Sequence, residues 1–236
     1  MKTNNRDKIY EKKARLYPVV FTMLTPCFIA FLFIIYCFKL NASPIIRVIT
    51  AIVPAGLIAA AFSYYLKNVV RAISKWIFQF KYYKKDESCM PTTELLLWHN
   101  DEFTDDYKIR IRNKIFSKFD VELFSKEDEA SNEKKARKLI AEVVPQIRDI
   151  TREDVILFNY NCYYGSVRNL IGGCALALII IAIFLFINMF THTLPIYYIL
   201  IALVMNILPV LFSRSIMNFF GHDYAKKLYE AFMKIQ

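Results

Sequence analysis

The sequence contains few of the residues that most enzyme and metal sites require. Only 5 of its 236 residues are glycine, and it has no Gly-rich phosphate-binding loop, dinucleotide fingerprint, zinc-protease motif or serine-hydrolase motif. Its 3 histidines are isolated, and its 5 cysteines have no C-x-x-C spacing. Cys27, Cys37 and Cys174 lie in apolar runs, which argues against a disulfide framework or a zinc site. We therefore expect no enzymatic activity, no bound metal and no cofactor.

Charged side chains are missing from four long apolar segments, 18–38, 48–66, 170–190 and 196–212. The third segment has 21 residues, and an α-helix of that length is about 31 Å long, which matches the hydrocarbon core of a bilayer. The chain is 56% hydrophobic with a mean hydropathy of +0.30, more apolar than a typical soluble domain. We predict an all-α membrane protein in which four transmembrane helices form two hairpins, with a helical cytoplasmic domain inserted between them.

Lysine and arginine are distributed unevenly around these segments. The two short connections carry 2 and 0 of the 31 cations, whereas residues 67–168 carry 19. Because cations accumulate on the cytoplasmic side of a membrane, both termini and the central domain are expected in the cytoplasm. The predicted parts are a basic N-terminal segment, hairpin 1, a ligand-sensing domain, hairpin 2 and an amphipathic tail, at 1–17, 18–66, 67–169, 170–212 and 213–236. The N-terminal segment fits either a basic helix at an anionic membrane surface or a solvated tail.

Capping residues divide the central domain into predicted helices. Thr104 precedes two aspartates and fits an N-cap, although the alternation of KIRIR at 108–112 would also fit a strand. Ser125 and Asp128 form a capping-box pattern ahead of a long charged helix. We expect that helix to be bent or interrupted at Pro145, because proline removes a backbone hydrogen bond.

Two of the apolar segments carry rows of small or polar residues at helical spacing. The rows are Ala51, Ala55, Ala59 and Ser63 in the second segment, and Ala202, Asn206, Pro209 and Ser213 beginning in the fourth. Small residues let helices approach closely without a hydrophobic driving force. Each row therefore fits packing within the chain. The alternatives are a subunit contact for the first row and a pore-facing stripe in an oligomer for the second.

The central domain interleaves cations with aromatic side chains. The candidate ligand-binding cations are Arg110, Arg112, Lys114, Lys134, Lys135, Arg137, Lys138, Arg148 and Arg168. The other candidate contacts are Trp98, Tyr107, Tyr160, Tyr163, Tyr164 and Asn169. Cations for phosphates and aromatic faces for bases suit a single-stranded nucleic acid or nucleotide ligand. The alternative is a set of solvated helix faces, since 17 acidic residues accompany the 19 cations of residues 67–168.

Two short patterns resemble a known family. Pro91-Thr92-Thr93 is followed by Leu97-Trp98, and Tyr164-Gly165 is followed by Arg168-Asn169 just before the third apolar segment. With the two-hairpin layout, these patterns are similar to small bacterial four-helix membrane effectors of anti-phage defence islands, in particular those of the Hailong type. This sequence has Asn100-Asp101-Glu102 where related sequences carry arginines, which argues against a phosphate-binding role for that loop.

The resemblance implies a tetrameric channel in the bacterial inner membrane, paired with a cognate nucleotidyltransferase. Single-stranded DNA oligomers would hold such a channel shut, and destruction of the DNA would open it. In this sequence, Tyr163-Tyr164-Gly165 is the expected flexible point, and Arg168 and Asn169 lie at the root of the third membrane helix. A polyanion bound there would favour one conformation only through its higher affinity for that conformation.

The predicted function is therefore an oligomeric membrane effector channel gated by a cytoplasmic nucleic-acid or oligonucleotide ligand. The main alternative is a non-conducting membrane anchor for a cytoplasmic partner protein. A small-molecule permease is a further alternative. It is disfavoured because coupled carriers generally keep a charged side chain within the membrane, and the four predicted spans contain none.

Overall fold

The computed structural model describes residues 2–38 and 43–235, and these residues form helices and connecting turns without any strand. The predicted all-α fold is confirmed. The α-helices are α1 (Lys2–Tyr10), α2 (Tyr17–Cys37), α3 (Pro44–Ile73), α4 (Phe80–Tyr83), α5 (Pro91–Glu94), α6 (Asp105–Phe119), α7 (Lys126–Ser131), α8 (Glu133–Ile150), α9 (Val155–Thr191), α10 (Ile196–Leu211) and α11 (Ser213–Lys234). Two π-helical turns, Glu11–Leu16 and Ser74–Gln79, link α1 to α2 and α3 to α4. Residues 39–42 of the predicted first loop lie outside the described residues.

Three helical stretches are long and apolar enough to cross a membrane, namely Asn5–Cys37, Ile45–Tyr83 and Val155–Thr191. A fourth span arises if α10 and α11, which meet at an angle of 52°, form one broken or re-entrant span. The described residues thus hold three or four candidate spans. The predicted fourth segment, 196–212, coincides with α10, which alone has 16 residues.

The chain divides into two compact units. Unit 1 comprises Met1–Phe78 and Gly165–Ile216, and unit 2 comprises Gln79–Tyr164 and Met217–Gln236. Unit 1 holds the apolar helices, and unit 2 holds most of the candidate ligand-binding side chains. Most of α11 belongs to unit 2, whereas the sequence pattern alone treated residues 213–236 as a separate tail.

The core of unit 1 is formed by apolar side chains of α2, α3, α9 and α10. Helix α2 packs along α3, and the rings of Phe33 in α2 and Phe184 in α9 lie 6.1 Å apart. The small-residue row of α3 lies within this packing, since Ala51, Ala59 and Ser63 have no exposed surface. In the single chain, this row therefore contributes to close packing inside the unit.

Two prolines in the first apolar stretch release backbone carbonyls that side chains then use. Pro18 has no N–H to donate to the Ala14 carbonyl, and Pro26 has none for the Thr22 carbonyl. The Thr25 hydroxyl donates to the Thr22 carbonyl at 3.1 Å. The Ala14 carbonyl accepts a hydrogen bond from the Asn169 side chain of α9. Such partners are needed because an unpaired carbonyl in an apolar surrounding is unfavourable.

The N-terminal caps of unit 2 follow the sequence signals. The Thr104 hydroxyl accepts a hydrogen bond from the Tyr107 backbone N–H at 3.3 Å and begins α6. The KIRIR segment, 108–112, lies inside α6, so the strand alternative is wrong. The Ser125 hydroxyl accepts from the Asp128 N–H at 3.1 Å, as the capping-box pattern predicts.

The long charged helix is interrupted at Asn132, not at Pro145. Asn132 leaves the helical conformation, with φ −148° and ψ 64°, and its side-chain oxygen accepts from the Lys135 N–H at 3.2 Å. It therefore ends α7 and caps α8. Pro145 lies within α8, which continues to Ile150. An interruption at Pro145 is therefore wrong, because α8 continues through this proline, and the break lies at the Asn132 cap instead.

Candidate functional site

A cationic groove lies in unit 2 between α8 and the turn that follows α4. We call it the α8 groove, and its lining residues are Lys84, Asp86, Ser88, Glu133, Lys134, Arg137 and Lys138. Lys134 and Lys138 are one helical turn apart and therefore lie on the same face of α8. The structure brings three sequence-predicted residues, Lys134, Arg137 and Lys138, together with Lys84.

The turn that forms one wall of the α8 groove has an unusual backbone. Lys84 and Glu87 both adopt left-handed conformations, with φ of 60° and 55°. Asp86 fastens the turn by accepting from the Ser88 hydroxyl at 2.7 Å and from the Ser88 N–H at 3.2 Å. These hydrogen bonds lower the pKa of Asp86, chiefly through the hydroxyl. The carboxylate therefore remains charged, and the turn positions Lys84 at the rim of the groove.

Arg137 is the only lining cation whose charge is compensated by ion pairs among the described residues of the α8 groove. Its guanidinium donates to Glu133 at 2.6 Å, to Glu94 at 2.7 Å and to the Ser88 carbonyl at 3.3 Å. Burial lowers the pKa of Arg137, but its hydrogen bonds to the Glu94 and Glu133 carboxylates outweigh burial and raise it overall. Arg137 therefore holds the wall of the groove to α8.

The three lysines of the α8 groove are available to a ligand. Lys84, Lys134 and Lys138 are exposed and form no ion pair within the described part of the chain. Ammonium groups that face a shared groove attract phosphate oxygens and release counterions when they bind a polyanion. Among the lining residues that the structure describes, none is aromatic. The groove therefore suits the phosphates of a ligand and offers no surface on which bases could stack.

Arg112 is an internal tie of unit 2, although the sequence placed it among the ligand-binding residues. Its guanidinium donates to the Leu96 carbonyl at 2.6 Å, to the Phe124 carbonyl at 2.7 Å and to the Glu129 carboxylate at 3.0 Å. The side chain has 8% of its surface exposed and lies over the Trp98 ring, 4.3 Å from its centre. It joins two loops to α6 and is buried away from ligands.

Trp98 is held by the same network. Its backbone N–H donates to Glu129 at 2.6 Å, and its indole N–H donates to the Phe124 carbonyl at 3.1 Å. The neighbouring Lys108 donates to the backbone carbonyls of Trp98 and Asn100. Burial lowers the pKa of Lys108. This loop is therefore fixed by tertiary hydrogen bonds, a role that no local sequence pattern reveals.

Two more predicted cations also have partners inside unit 2. Lys114 donates to the backbone carbonyls of Met233, at 3.2 Å, and Ile235. Arg148 pairs with Glu87 at 3.1 Å. These contacts attach α6 to the end of α11 and α8 to the turn before α5. Lys114 and Arg148 thus stabilise unit 2.

The remaining candidates of unit 2 lie apart from the α8 groove lining. Arg110 is exposed and lies over the Tyr107 ring at 5.4 Å, and Lys135 is exposed on α8 outside the lining. Tyr160 and Tyr163 form an edge-to-face pair at 6.1 Å, with Tyr163 exposed. Tyr164 differs from them. It is buried, stacks on the Tyr224 ring at 6.4 Å, and its hydroxyl contacts the Met90 sulfur at 3.9 Å.

Arg168 and Asn169 lie in unit 1 and are both buried. Asn169 Nδ2 donates to the Ala14 carbonyl, the group that Pro18 leaves unbonded, at 2.6 Å. The expected flexible point at Tyr163-Tyr164-Gly165 lies inside the continuous helix α9. A single glycine does not break this helix because the backbone hydrogen-bond ladder continues through it.

The polar row of the fourth apolar segment is turned toward its own chain. Asn206 has 3% of its surface exposed and donates to the Thr25 hydroxyl at 2.9 Å and to the Ala202 carbonyl at 2.8 Å. Ala202 and Ser213 are buried, and Pro209 is half-buried. In the single chain these residues join α10 to α2, as the packing alternative predicts.

Sequence reasoning missed Lys84, which is not among the candidate ligand-binding cations. The left-handed turn that places it opposite α8 has no glycine to signal it. No protein-family model, curated protein or solved structure matches this chain. Its function is therefore inferred from the groove and the helices themselves.

Proposed function

We propose that this chain is a membrane effector whose unit 2 binds an oligonucleotide in the α8 groove. Binding gates a channel formed by the apolar helices of several copies of the chain. The channel acts in the inner membrane of a bacterium during phage infection, with both termini and unit 2 in the cytoplasm. A cognate nucleotidyltransferase would supply the oligonucleotide.

The lysines of the α8 groove carry this proposal. Lys84, Lys134 and Lys138 face one groove, and none forms an ion pair within the described residues. The candidate cations Arg112 and Lys114 are already bound inside unit 2, so they add nothing to ligand binding. A phosphate backbone is the ligand chemistry that such a lysine groove favours.

Binding of a fluorescein-labelled oligothymidylate to the whole chain in detergent tests the ligand. Lys138→Glu reverses a charge in the α8 groove and should weaken binding by about tenfold, equivalent to about 1.4 kcal/mol. Lys135→Glu makes the same change three positions earlier on α8, outside the lining, and should leave affinity within about twofold. Equal losses in the two variants would show that the α8 groove does not select the ligand.

A second candidate function is a non-conducting membrane anchor for a cytoplasmic partner. The specific observation in its favour is the inward orientation of Asn206, Ala202 and Ser213. With this polar row buried in its own chain, a channel of several copies would need an apolar lining, which conducts only when wetted. Ion flux from liposomes separates the two candidates, since only a channel leaks.

A further inference from the structure

Three helical segments of unit 1 meet where the apolar stretches end. Glu11, in the first π-helical turn, forms an ion pair with Lys67 of α3 at 2.5 Å. Helix α9 is joined to the same turn by the hydrogen bond from Asn169 to the Ala14 carbonyl. Helix α9 reaches the end of α3 at Gly172, where a Cβ would overlap Ser74, the residue that directly follows α3. The three segments are therefore in mutual contact.

Each of these segments contributes one arginine to the meeting point. We call Arg15, Arg71 and Arg168 the arginine junction. The positive charges of Arg15 and Arg168 both act on that of Arg71, and Tyr10 lies in the same surroundings. Arg168 is 7% exposed, while Arg15 and Arg71 are half-buried. The Nε atoms of Arg15 and Arg71 are buried and have no hydrogen-bond partner among the described residues.

Like charges held close together in a partly dry site repel each other, and the repulsion grows as water is excluded. The neighbouring carboxylate, Glu11, pairs with Lys67 and is therefore only partly available to Arg15, whose charge also acts on it. An anion with several oxygens would relieve the repulsion and accept from the arginines. Phosphate fits best, because guanidinium groups bind its oxygens through paired, charge-assisted hydrogen bonds.

The position of the arginine junction along the helices points to a particular source of phosphate. Arg15 precedes the first predicted span by three residues, Arg71 follows the second by five, and Arg168 precedes the third by two. Five residues of helix are about 7.5 Å long, so all three arginines lie near the depth of the lipid headgroups if these segments span the bilayer. Two exposed aromatic residues, Tyr17 and Trp76, lie at the same ends, as is usual at a membrane interface.

We propose that the arginine junction binds the phosphate of an anionic phospholipid headgroup and that this lipid holds the three helices of unit 1 together. The site lies entirely in unit 1 and does not depend on the α8 groove or on its ligand. The lipid would act as a structural ligand that stabilises the folded chain by binding it in preference to the unfolded chain.

Thermal unfolding of the whole chain in lipid nanodiscs tests the inference. Wild type should unfold several degrees higher in phosphatidylcholine mixed with phosphatidylglycerol than in phosphatidylcholine alone. Arg71→Gln should lose at least half of that increase. In phosphatidylcholine alone, Arg71→Gln should unfold no lower than wild type, because it relieves repulsion. If Arg71 had only a structural role, Arg71→Gln would instead lower the unfolding temperature by the same amount in both lipids.

The controls separate the junction from general surface charge and from soluble phosphates. Arg214→Gln removes an exposed arginine outside the junction and should retain the full phosphatidylglycerol effect. If Arg71→Gln does not fold, Arg15→Gln provides the same comparison. An equal phosphatidylglycerol effect in wild type and the junction variants would overturn the inference. So would equal stabilisation by inorganic phosphate or oligothymidylate in phosphatidylcholine nanodiscs, since either result would assign the site to a soluble ligand.

Discussion

Arg112 is a buried charged side chain that ties loops of unit 2 together. Arg112 satisfies two loop carbonyls and one carboxylate with a single guanidinium. Burial lowers the pKa of Arg112, and Glu129 opposes that effect. Three acceptors converge on this guanidinium. Lysine could not take its place, because an ammonium group lacks the planar arrangement of N–H donors that reaches all three.

Replacing Arg112 should therefore destabilise unit 2. Arg112→Met leaves Glu129 as a buried, unpaired carboxylate, and we expect the free energy of unfolding to fall by about 3 kcal/mol. Arg110→Met, two positions earlier on the exposed face, should change it by less than about 0.5 kcal/mol. Chemical denaturation followed by circular dichroism measures both. A similar effect in the two variants would mean that the network around Arg112 is not a tie.

At this scale the sequence reveals residue types but not their partners. The alternation around Arg110 and Arg112 shows two cations two positions apart, and nothing local distinguishes the exposed one from the buried one. The acceptors of Arg112 come from residues 96, 124 and 129, which only the tertiary structure brings together. Candidate ligand residues chosen by charge therefore included several that unit 2 uses for its own stability.

At the scale of elements, close packing of α9 depends on two adjacent glycines. A Cβ on Gly172 would lie 2.0 Å from the Ser74 hydroxyl oxygen and 3.0 Å from the Ser74 backbone nitrogen. A Cβ on Gly173 would lie 2.2 Å from the Thr22 hydroxyl oxygen. Helix α9 therefore approaches α3 on one side and α2 on the other, as small residues permit in apolar bundles.

Gly172→Ala should lower the thermal stability of the detergent-solubilised chain, by about 1–3 kcal/mol in unfolding free energy, because the backbone of Ser74 cannot yield as a side chain can. Gly56→Ala is the matched control. Its Cβ would meet nothing within 4 Å, so the higher helix propensity of alanine should make it neutral or slightly stabilising. Adding Ser74→Gly to Gly172→Ala should recover part of the loss. A Gly172→Ala variant as stable as wild type would argue against this close approach.

Element boundaries were predictable where a side chain caps its own helix. Thr104 and Ser125 begin α6 and α7 as their spacing indicates. The break at Asn132 was not predicted, although asparagine is a good N-cap. Pro145, further along the same charged segment, is the stronger sequence signal for a helix break. Continuity through Gly165 was missed for a related reason. A glycine signals flexibility in isolation, but α9 is continuous through Gly165, which lies against Tyr10 and Ala14 of the N-terminal segment.

At the scale of the whole molecule, the apolar stretches and the all-helical fold followed directly from composition and periodicity. The assembly of several copies does not follow from either, since the same small-residue rows fit packing within one chain. Ala51, Ala59 and Asn206 are buried in the single chain. The opposite face of α3 is apolar and exposed, and Ile45–Tyr83 is the least buried of the three candidate spans.

Ion flux from liposomes tests whether several copies of the chain form a gated channel. If the chain is a gated channel, proteoliposomes should leak in one ligand state and retain ions in the other, with oligothymidylate as the added ligand. Lys138→Glu should shift the oligothymidylate concentration needed for gating, whereas Lys135→Glu should not. Chemical cross-linking should give one closed oligomer. The absence of leak in both states, together with a monomer on cross-linking, would instead support the anchor.

The proline at position 18 decides where α9 can attach to the first helix. Pro18 cannot donate an amide to the Ala14 carbonyl, and Asn169 of α9 donates to that carbonyl instead. This hydrogen bond helps to set the position of α9 along the N-terminal segment, together with the contacts at Gly172 and Gly173. A residue with a backbone N–H at position 18 would compete with Asn169 for the Ala14 carbonyl and weaken the attachment of α9. Pro18 therefore keeps this carbonyl available to α9.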